Sequence, residues 1–518
     1  MDARRARSSR RVAIASEVAV AVASGVAVTA GTFLVVGFSP RWVVVAIAQT
    51  VLLALPDAAL AAGIQGFGST AQPLLVAGAV GLSVAAFAGL AGLARRIGRT
   101  GDRERAEVVF LVGTLQALAA FLLSVAPVAA LVGGAFGAAV VGLAGEPATG
   151  AGGVSRARRG LLRSAGVAAA AVGLAGAGPL ARAVGGAGGD SGRTEPVDPD
   201  PLVERLLGTA AERSFDLTGA EPLVSESFYV VDKNAADPRV DPETWSLRVT
   251  GAVEEEIEVD LGAVESRPAE HRFVTLRCVG DEVNGRKADT AAWTGVPIAD
   301  LLEEAGVRPD SCCVMLRAAD DYYEEFPLSA LREGLLAYRM NGRPLPRQHG
   351  APVRALIPGH WGEINVKWLT EIEILEEEAT GYWEERGWHG TGPVSTVAKL
   401  HHVETADGAV SVGGHAYAGT RGVSAVEVST DGGDTWSEAD LTERLPGPTP
   451  ADADPNDPDA VGGAAADAWR GWRYEYEADE EHEVVVRAVE ADGTVQPAAE
   501  RDPYPRGASG RASRTVRP

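Results

Sequence analysis

Lysine is nearly missing from this sequence: there are four in 518 residues, none before residue 233. Cysteine is scarcer still, with three, at 278, 312 and 313, and all eight histidines lie between 271 and 482. Each shortage excludes something. Three thiols cannot build a disulfide framework, because adjacent cysteines seldom close a ring and one thiol would be left over. Without histidine the N-terminal part cannot hold a bis-histidine haem b, and with no CxxCH anywhere no c-type haem is expected, so no haem is expected in this chain. Positive charge is short in the second part, where residues 191–518 hold 31 Lys and Arg against 62 acids, while residues 1–190 carry 16 Arg against 8 acids. A surface that acidic will not bind nucleic acid.

What is present differs between the two parts. The first has apolar stretches at 13–38, 73–94, 108–126, 128–145 behind Pro127, and 164–187. Each is long enough, or nearly so, to cross a hydrocarbon core. A further stretch, 42–63, contains Gln49, Pro56 and Asp57. Arginines cluster at 4–11, 94–105 and 155–163, and all three clusters fall in the cytoplasm if 42–63 does not cross. The expectation is a multi-span α-helical membrane anchor over 1–187, with about five helices, its N-terminus inside and everything after about residue 190 outside the cell membrane. "ARRGLLRSAGVAAAAVGLAGAG" at 157–178 also reads as a twin-arginine export signal around Arg158 and Arg159, beside its plainer reading as positive-inside charge. The acid-rich, Arg-over-Lys soluble surface resembles that of halophilic archaeal proteins.

A Gly/Pro/Asp-rich linker, 188–205, separates the two parts. Over 206–392, β-patterned runs ("SLRVTG", "EIEVDL", "RFVTLRC") interleave with helix-like pieces, "PIADLLEEAG" at 297–306 and "PLSALREGLLAYRM" at 327–340, which suggests an α+β domain. Over 393–518 alternating runs with Asp-Gly turns read as an all-β sandwich. Within it, the acidic low-complexity stretch 445–468 reads as a solvated loop. Cys312 and Cys313 read as small core residues of a strand.

Cys278 ends an apolar run in "FVTLRCVGDEVNGR" and could be a packed thiol, a nucleophile, a redox thiol or a metal ligand. No histidine follows it locally to act as a base. Gly280 and Gly285 would let backbone approach a bound ligand closely. Downstream, "RQHGAPVRALIPGHWGEINVKWLTEIEI" places His349, Arg354 and Lys367 around a Gly-rich loop. A guanidinium fork and an ammonium suit an anionic, phosphorylated cofactor.

"TLRCVG", "WTGVPIADLL", "LLAYRMNGRPLPRQHGAPVRALIPGHWGEINVKWLTEIEIL" and "VEVSTDGGDTWSEADL" together resemble the sulfite oxidase family of molybdopterin oxidoreductases over nearly all of 225–518. The resemblance implies a molybdenum–molybdopterin cofactor with Cys278 as the protein ligand, thiolate being a suitably soft donor. It implies that Asn234, His349, Arg354, Gly359, Asn365 and Lys367 face the cofactor, and that the sandwich is an immunoglobulin-like domain that commonly makes homodimers. Three departures from the sulfite-oxidising pattern stand out: Val231 where those members have Arg, Asp281 and Glu282 after the cysteine, and Trp388 in the place of an active-site Tyr. A carboxylate there would repel a doubly charged oxyanion, so the substrate is expected to be a small molecule other than sulfite. Electrons would pass to or from a separate carrier or a membrane quinone. The alternatives are a sulfite oxidase, an S-oxide or N-oxide reductase, and a cofactor-free outer-surface binding scaffold.

Overall fold

The computed structural model describes residues 2–56, 71–101, 103–144, 165, 166, 168–170, 172, 200–457 and 461–518. The chain forms two units, Met1–Asp190 with Asp232–Arg239, and Ser191–Val231 with Val240–Pro518.

The first unit is built from helices α1 (Asp2–Val36), α2 (Val43–Ala54), α3 (Ala71–Thr100), α4 (Arg105–Ser124) and α5 (Pro127–Ala144). Four spans within them, Ile14–Val36, Gln72–Thr100, Arg105–Ser124 and Pro127–Ala144, are long and apolar enough to cross a membrane. The stretch 108–145 does break at Pro127 into two such helices. Within the stretch 42–63 the described residues hold a 12-residue helix, Val43–Ala54, and residues 57–63 lie outside the described ones. The fifth expected span, 164–187, and the twin-arginine stretch lie almost wholly outside the described residues. Small residues let the helices approach: a Cβ on Gly31 would lie 3.1 Å from Gly133 Cα. One buried polar seam fixes their register, with Gln116 Nε2 donating to Ser24 Oγ (3.0 Å) and to the Phe87 carbonyl (2.9 Å). Ala235 and Ala236 of the segment Asp232–Arg239 are buried in the same cluster as Phe33, Trp42 and Val43.

The second unit opens with α6 (Pro201–Arg213), which begins inside the stretch expected to be linker. Asp200 caps it, its carboxylate accepting from the Leu202 N–H (3.0 Å), and proline fills the first helical turn, where no hydrogen bond is lost. Ten strands follow: β1 (Ser246–Gly251), β2 (Ile257–Asp260), β3 (Glu270–Arg277), β4 (Ala288–Pro297), β5 (Cys313–Ala318), β6 (Tyr323–Pro327), β7 (Leu335–Met340), β8 (Arg343–Pro344), β9 (Arg354–Leu356) and β10 (Leu369–Leu375). One sheet runs β2-β1-β10-β5-β6, with β1 and β10 parallel and the rest antiparallel. The other runs β3-β4-β7-β8 with β9 on β7. The helix Ile298–Ala305 buries Ile298, Leu301, Leu302 and Ala305, one face at helical spacing, and ends at Gly306 in the left-handed region (φ 66°). Beyond residue 396 the described structure is β apart from the 3-10 turn Gly419–Arg421, with two antiparallel sheets around a core that includes Val412, Val426, Trp472 and Val486.

Three expectations are corrected. The run 327–340 is helical only over Leu328–Leu331; Gly334 breaks it, and 335–340 becomes β7, whose backbone is taken by β4. The acidic stretch 445–468 is not simply solvated: Thr449 and Pro450 pair with His271 and Glu270 of β3, and Leu445, Thr449 and Asp467 are buried. Cys312 and Cys313 close a vicinal disulfide at the entry to β5 instead of packing as two thiols. Their adjacency holds the sulfurs within reach where the strand ladder is only beginning.

Candidate active site

β3 delivers Cys278 to the mouth of a ten-residue loop that returns as β4. The loop is closed by its own backbone, with the Cys278 N–H donating to the Lys287 carbonyl (2.9 Å) and the Asp281 N–H to the Cys278 carbonyl (3.0 Å). The Asp281 carboxylate completes the closure by accepting from the Lys287 N–H (2.9 Å). A Cβ at Gly285 would collide with that carboxylate, which is why glycine is needed there. Asp281 also takes two cations, Arg277 Nε at 3.1 Å and Lys399 Nζ at 2.6 Å, all three side chains being buried. Burial pushes the Asp281 carboxyl up, and Lys399 and Arg277 more than offset it, so it stays ionised below its ordinary range. The expected repulsion of an anion by Asp281 is therefore removed, because its charge is internally matched.

Cys278 is a free, half-buried thiol, pushed up to about 11 mainly by burial, against the pull of Lys287. A Cβ on Gly280 would lie 3.7 Å from its sulfur and 3.8 Å from Trp388, so the glycine opens the space that the indole borders. Trp388 is buried and packs edge-on against Tyr504 (5.1 Å) and Trp383 (6.5 Å). Among the described residues no group of three or more His, Cys, Asp and Glu could hold a metal ion.

The cationic cluster is brought together as expected. His349 is buried, its ring 5.5 Å from Phe228, and burial followed by Arg354 pushes it down to about 4, so it is neutral. The buried Arg354 guanidinium donates to the carbonyls of His349 (3.1 Å) and Asn365 (2.9 Å) and lies over Trp293 (5.3 Å). Lys367 Nζ donates to the carbonyls of Val231 and Gln348, each at 3.1 Å, and burial pushes it down to about 7. An anion beside it would restore its charge. Gly350 allows this assembly: at φ 109° its Cβ would stand 3.0 Å from Lys367 Cα and 3.1 Å from Arg354 Cβ. Arg347 Nη1 is buried with no partner, a donor still to be satisfied. A soft thiol, a suppressed ammonium, an unsatisfied guanidinium nitrogen and a neutral imidazole together fit a phosphorylated organic ligand that carries a soft metal.

The remaining expected residues make the following contacts. Asn365 spends its side chain on the loop itself, accepting from the Ile357 N–H (2.7 Å) and donating to the Trp361 carbonyl (3.2 Å). Gly359, at φ 75°, packs against Thr420 of the sandwich. Asn234 belongs to the helical unit, where Gln49 Nε2 and Lys233 Nζ donate to its side-chain oxygen at 3.5 and 3.2 Å. Sequence reasoning missed Tyr229, Arg277, Arg347, Glu324 and Glu363. Tyr229 is half-buried beside Cys278 and pushed well above its ordinary value by burial and then by that thiol. The signal for Glu363 was a lone acid inside the apolar, Gly-rich "IPGHWGEINV".

Comparison with known proteins gives two family matches: an oxidoreductase molybdopterin binding domain over 234–383 and a Mo-co oxidoreductase dimerisation domain over 393–503. The chain is 28% identical to mitochondrial sulfite oxidase of Rattus norvegicus over 362 residues, 59% of this chain and 64% of that protein. It is 30% identical over 185 residues to the uncharacterized oxidoreductase YuiH of Bacillus subtilis (strain 168), covering 35% of this chain and 91% of that protein. Among solved structures, the sulfane dehydrogenase SoxCD from Paracoccus pantotrophus matches with a TM-score of 0.43 and 19% identity, over 60% of this chain and 80% of that one.

Proposed function

Because the chain belongs to the sulfite oxidase family of molybdenum oxidoreductases, we propose that it is a membrane-anchored oxygen-atom transferase with Cys278 as the protein ligand to molybdenum. The single observation that carries this is the pairing of a free thiol, beside Gly280 and Trp388, with the His349, Arg354 and Lys367 cluster. A bound molybdopterin supplies the redox metal and exchanges an oxygen atom with substrate, while the protein holds and tunes it. Arg347, Arg354 and Lys367 hold its anionic end, and His349, neutral, offers its ring to the pterin. Trp388 borders the substrate side and excludes water. The cofactor-free scaffold falls away, since the chain is an oxidoreductase of this family.

The helices anchor the enzyme by four or five spans, and the arginine clusters favour an outward-facing catalytic unit. Electrons pass to or from a separate carrier or a membrane quinone, arriving from it in the reducing direction, and the dimerisation-domain match supports a homodimer.

A substrate of low charge, such as an S-oxide or N-oxide taken in the reducing direction, is favoured by the lining. Asp281 is matched by Arg277 and Lys399, and Arg277 offers an anion only its unpartnered Nη2. Sulfite, doubly charged, would need more donors than that.

The test is elemental analysis of the full chain from a host that makes molybdopterin, beside Cys278→Ala. Near-stoichiometric molybdenum whose optical spectrum changes in the variant is the expected result. A folded chain without molybdenum overturns the reading.

A further inference from the structure

The disulfide between Cys312 and Cys313 has no part in the oxygen-transfer reading, which uses the free thiol of Cys278. A disulfide stabilises chiefly by enclosing a loop and so restricting the unfolded chain. Residues that are neighbours in sequence enclose none. The pair therefore does little for stability, and its chemistry is what remains.

The two cysteines differ in access. Cys312 is exposed, whereas Cys313, the first residue of β5, is 4% exposed. A thiolate that attacks a disulfide bonds to one sulfur and expels the other. Of the two residues only Cys312 opens to solvent, so attack falls on its sulfur and Cys313 is the leaving group.

The main chain around the pair is already tied down. The Cys312 N–H donates to the Leu375 carbonyl (3.1 Å), and the Cys312 carbonyl accepts from the Leu328 N–H (3.0 Å). Cys313 stands opposite Leu375 of β10 and Pro327 of β6. Val314, the next residue, is fully buried in the core that holds Leu316, Phe326 and Ile372. None of these contacts uses a sulfur, so the disulfide can open and close while β5 stays in its sheet.

Charge selects the reagent. Asp310 precedes the pair, and Glu376, Glu377 and Glu378 follow Leu375, the ladder partner of Cys313; all four acids are exposed. They disfavour a reagent that brings further negative charge and favour a neutral or cationic one.

We infer that Cys312 and Cys313 form a reversible thiol–disulfide exchange site on the surface of the catalytic unit, reduced by a dithiol whose body carries no negative charge. One thiolate of the dithiol bonds to the Cys312 sulfur as the bond to Cys313 breaks, and Cys313 takes up a proton. The second thiolate bonds to the first sulfur of its own molecule and releases Cys312, which also takes up a proton. Two electrons and two protons pass to the protein, and the dithiol leaves as a disulfide. The opened pair holds two adjacent soft thiols, a bidentate site for a trivalent arsenical, whose oxygen leaves as water when both sulfurs bond to the arsenic.

The test uses the full chain in detergent, extracted without reductant and followed by alkylation and peptide mass spectrometry. The pair is expected to be closed at the outset. Dithiothreitol is expected to open it in the folded protein at an unchanged melting temperature, with Cys312 alkylated at least about tenfold faster than Cys313. Phenylarsine oxide then binds once at the opened pair, and the double variant Cys312→Ser with Cys313→Ser loses this capture. Cysteamine, a cationic monothiol, should open the pair faster than anionic thioglycolate at equal thiolate concentration, by a ratio that shrinks as salt is added. Two free thiols at Cys312 and Cys313 in the unreduced protein overturn the inference, as does opening that needs denaturant. A large fall in melting temperature on reduction would assign the disulfide a structural role instead, and equal rates with the two monothiols would overturn the charge selection.

Discussion

Lys399 Nζ lies 2.6 Å from Asp281 Oδ2 across 118 residues of sequence, with both side chains buried. The pair ties the loop that carries Cys278 to the first strands of the sandwich, and Lys399 also donates to the Gly285 carbonyl (2.7 Å). Removing one partner of a buried ion pair costs about 3–5 kcal/mol, since it strands the other charge. Asp281→Asn strands two cations, Arg277 and Lys399, and is expected to lower the denaturation midpoint and to empty the site of molybdenum. Lys399→Met leaves the Arg277 pair intact and should be milder on both readings. Equal effects would show that Arg277 does not share the charge.

Gly350→Ala is expected to reduce molybdenum content without abolishing folding. Its φ of 109° costs an L side chain about 1–2 kcal/mol, and the added methyl would press on Lys367 and Arg354. Metal content per folded chain is the measurement.

Trp388→Tyr keeps an aromatic ring between Tyr504 and Trp383, whereas Trp388→Ala leaves a hole in a buried cluster. The alanine variant should lose about 3–5 kcal/mol of stability and bind substrate more weakly. The tyrosine variant should stay folded, and a change in preference between dimethyl sulfoxide and trimethylamine N-oxide as oxidants would identify residue 388 as part of the pocket wall.

The contribution of three buried carboxyls to stability should fall as pH rises from the acidic to the alkaline side of neutrality, against the opposite slope of the depressed Lys367 and His349. Folded Glu363 and Asp467 sit at about 8 and Glu324 at about 9, against ordinary values of 4.5 for the glutamates and 3.8 for the aspartate. Between those limits the folded chain holds protons that the unfolded chain has released, so the stabilisation is complete below the ordinary values and is lost as pH climbs toward the folded ones. Melting temperatures followed against pH should show this contribution as the difference between the wild type and Glu324→Gln, the variant gaining on the wild type as pH rises.

The division of the chain was legible because membrane and solvent demand different compositions, and one changes to the other near residue 190. Short strands such as Ser246–Gly251 were legible from alternation, and the helix Ile298–Ala305 from its apolar spacing and terminal glycine. The run 327–340 was misread because "LLAYRM" suits either state, and pairing with β4 decided it. The stretch 445–468 looked like plain acidic loop because no local pattern announces a two-residue pairing with a strand some 180 residues earlier.

At the site, the sequence determined the chemistry available: one thiol beside glycines, and His349, Arg354 and Lys367 within a short span. Those residues are close in the chain or mark sharp local features, so spacing alone suggests their company. Only the tertiary structure decided the charge states. Asp281 is neutralised by Lys399 from the sandwich, and Glu324 and Glu363, 39 positions apart, become a buried acid pair only when β6 and the Gly-rich loop close around Tyr322. Charge in a protein depends on burial and on partners, and both are set by contacts between segments that the order of residues does not bring together.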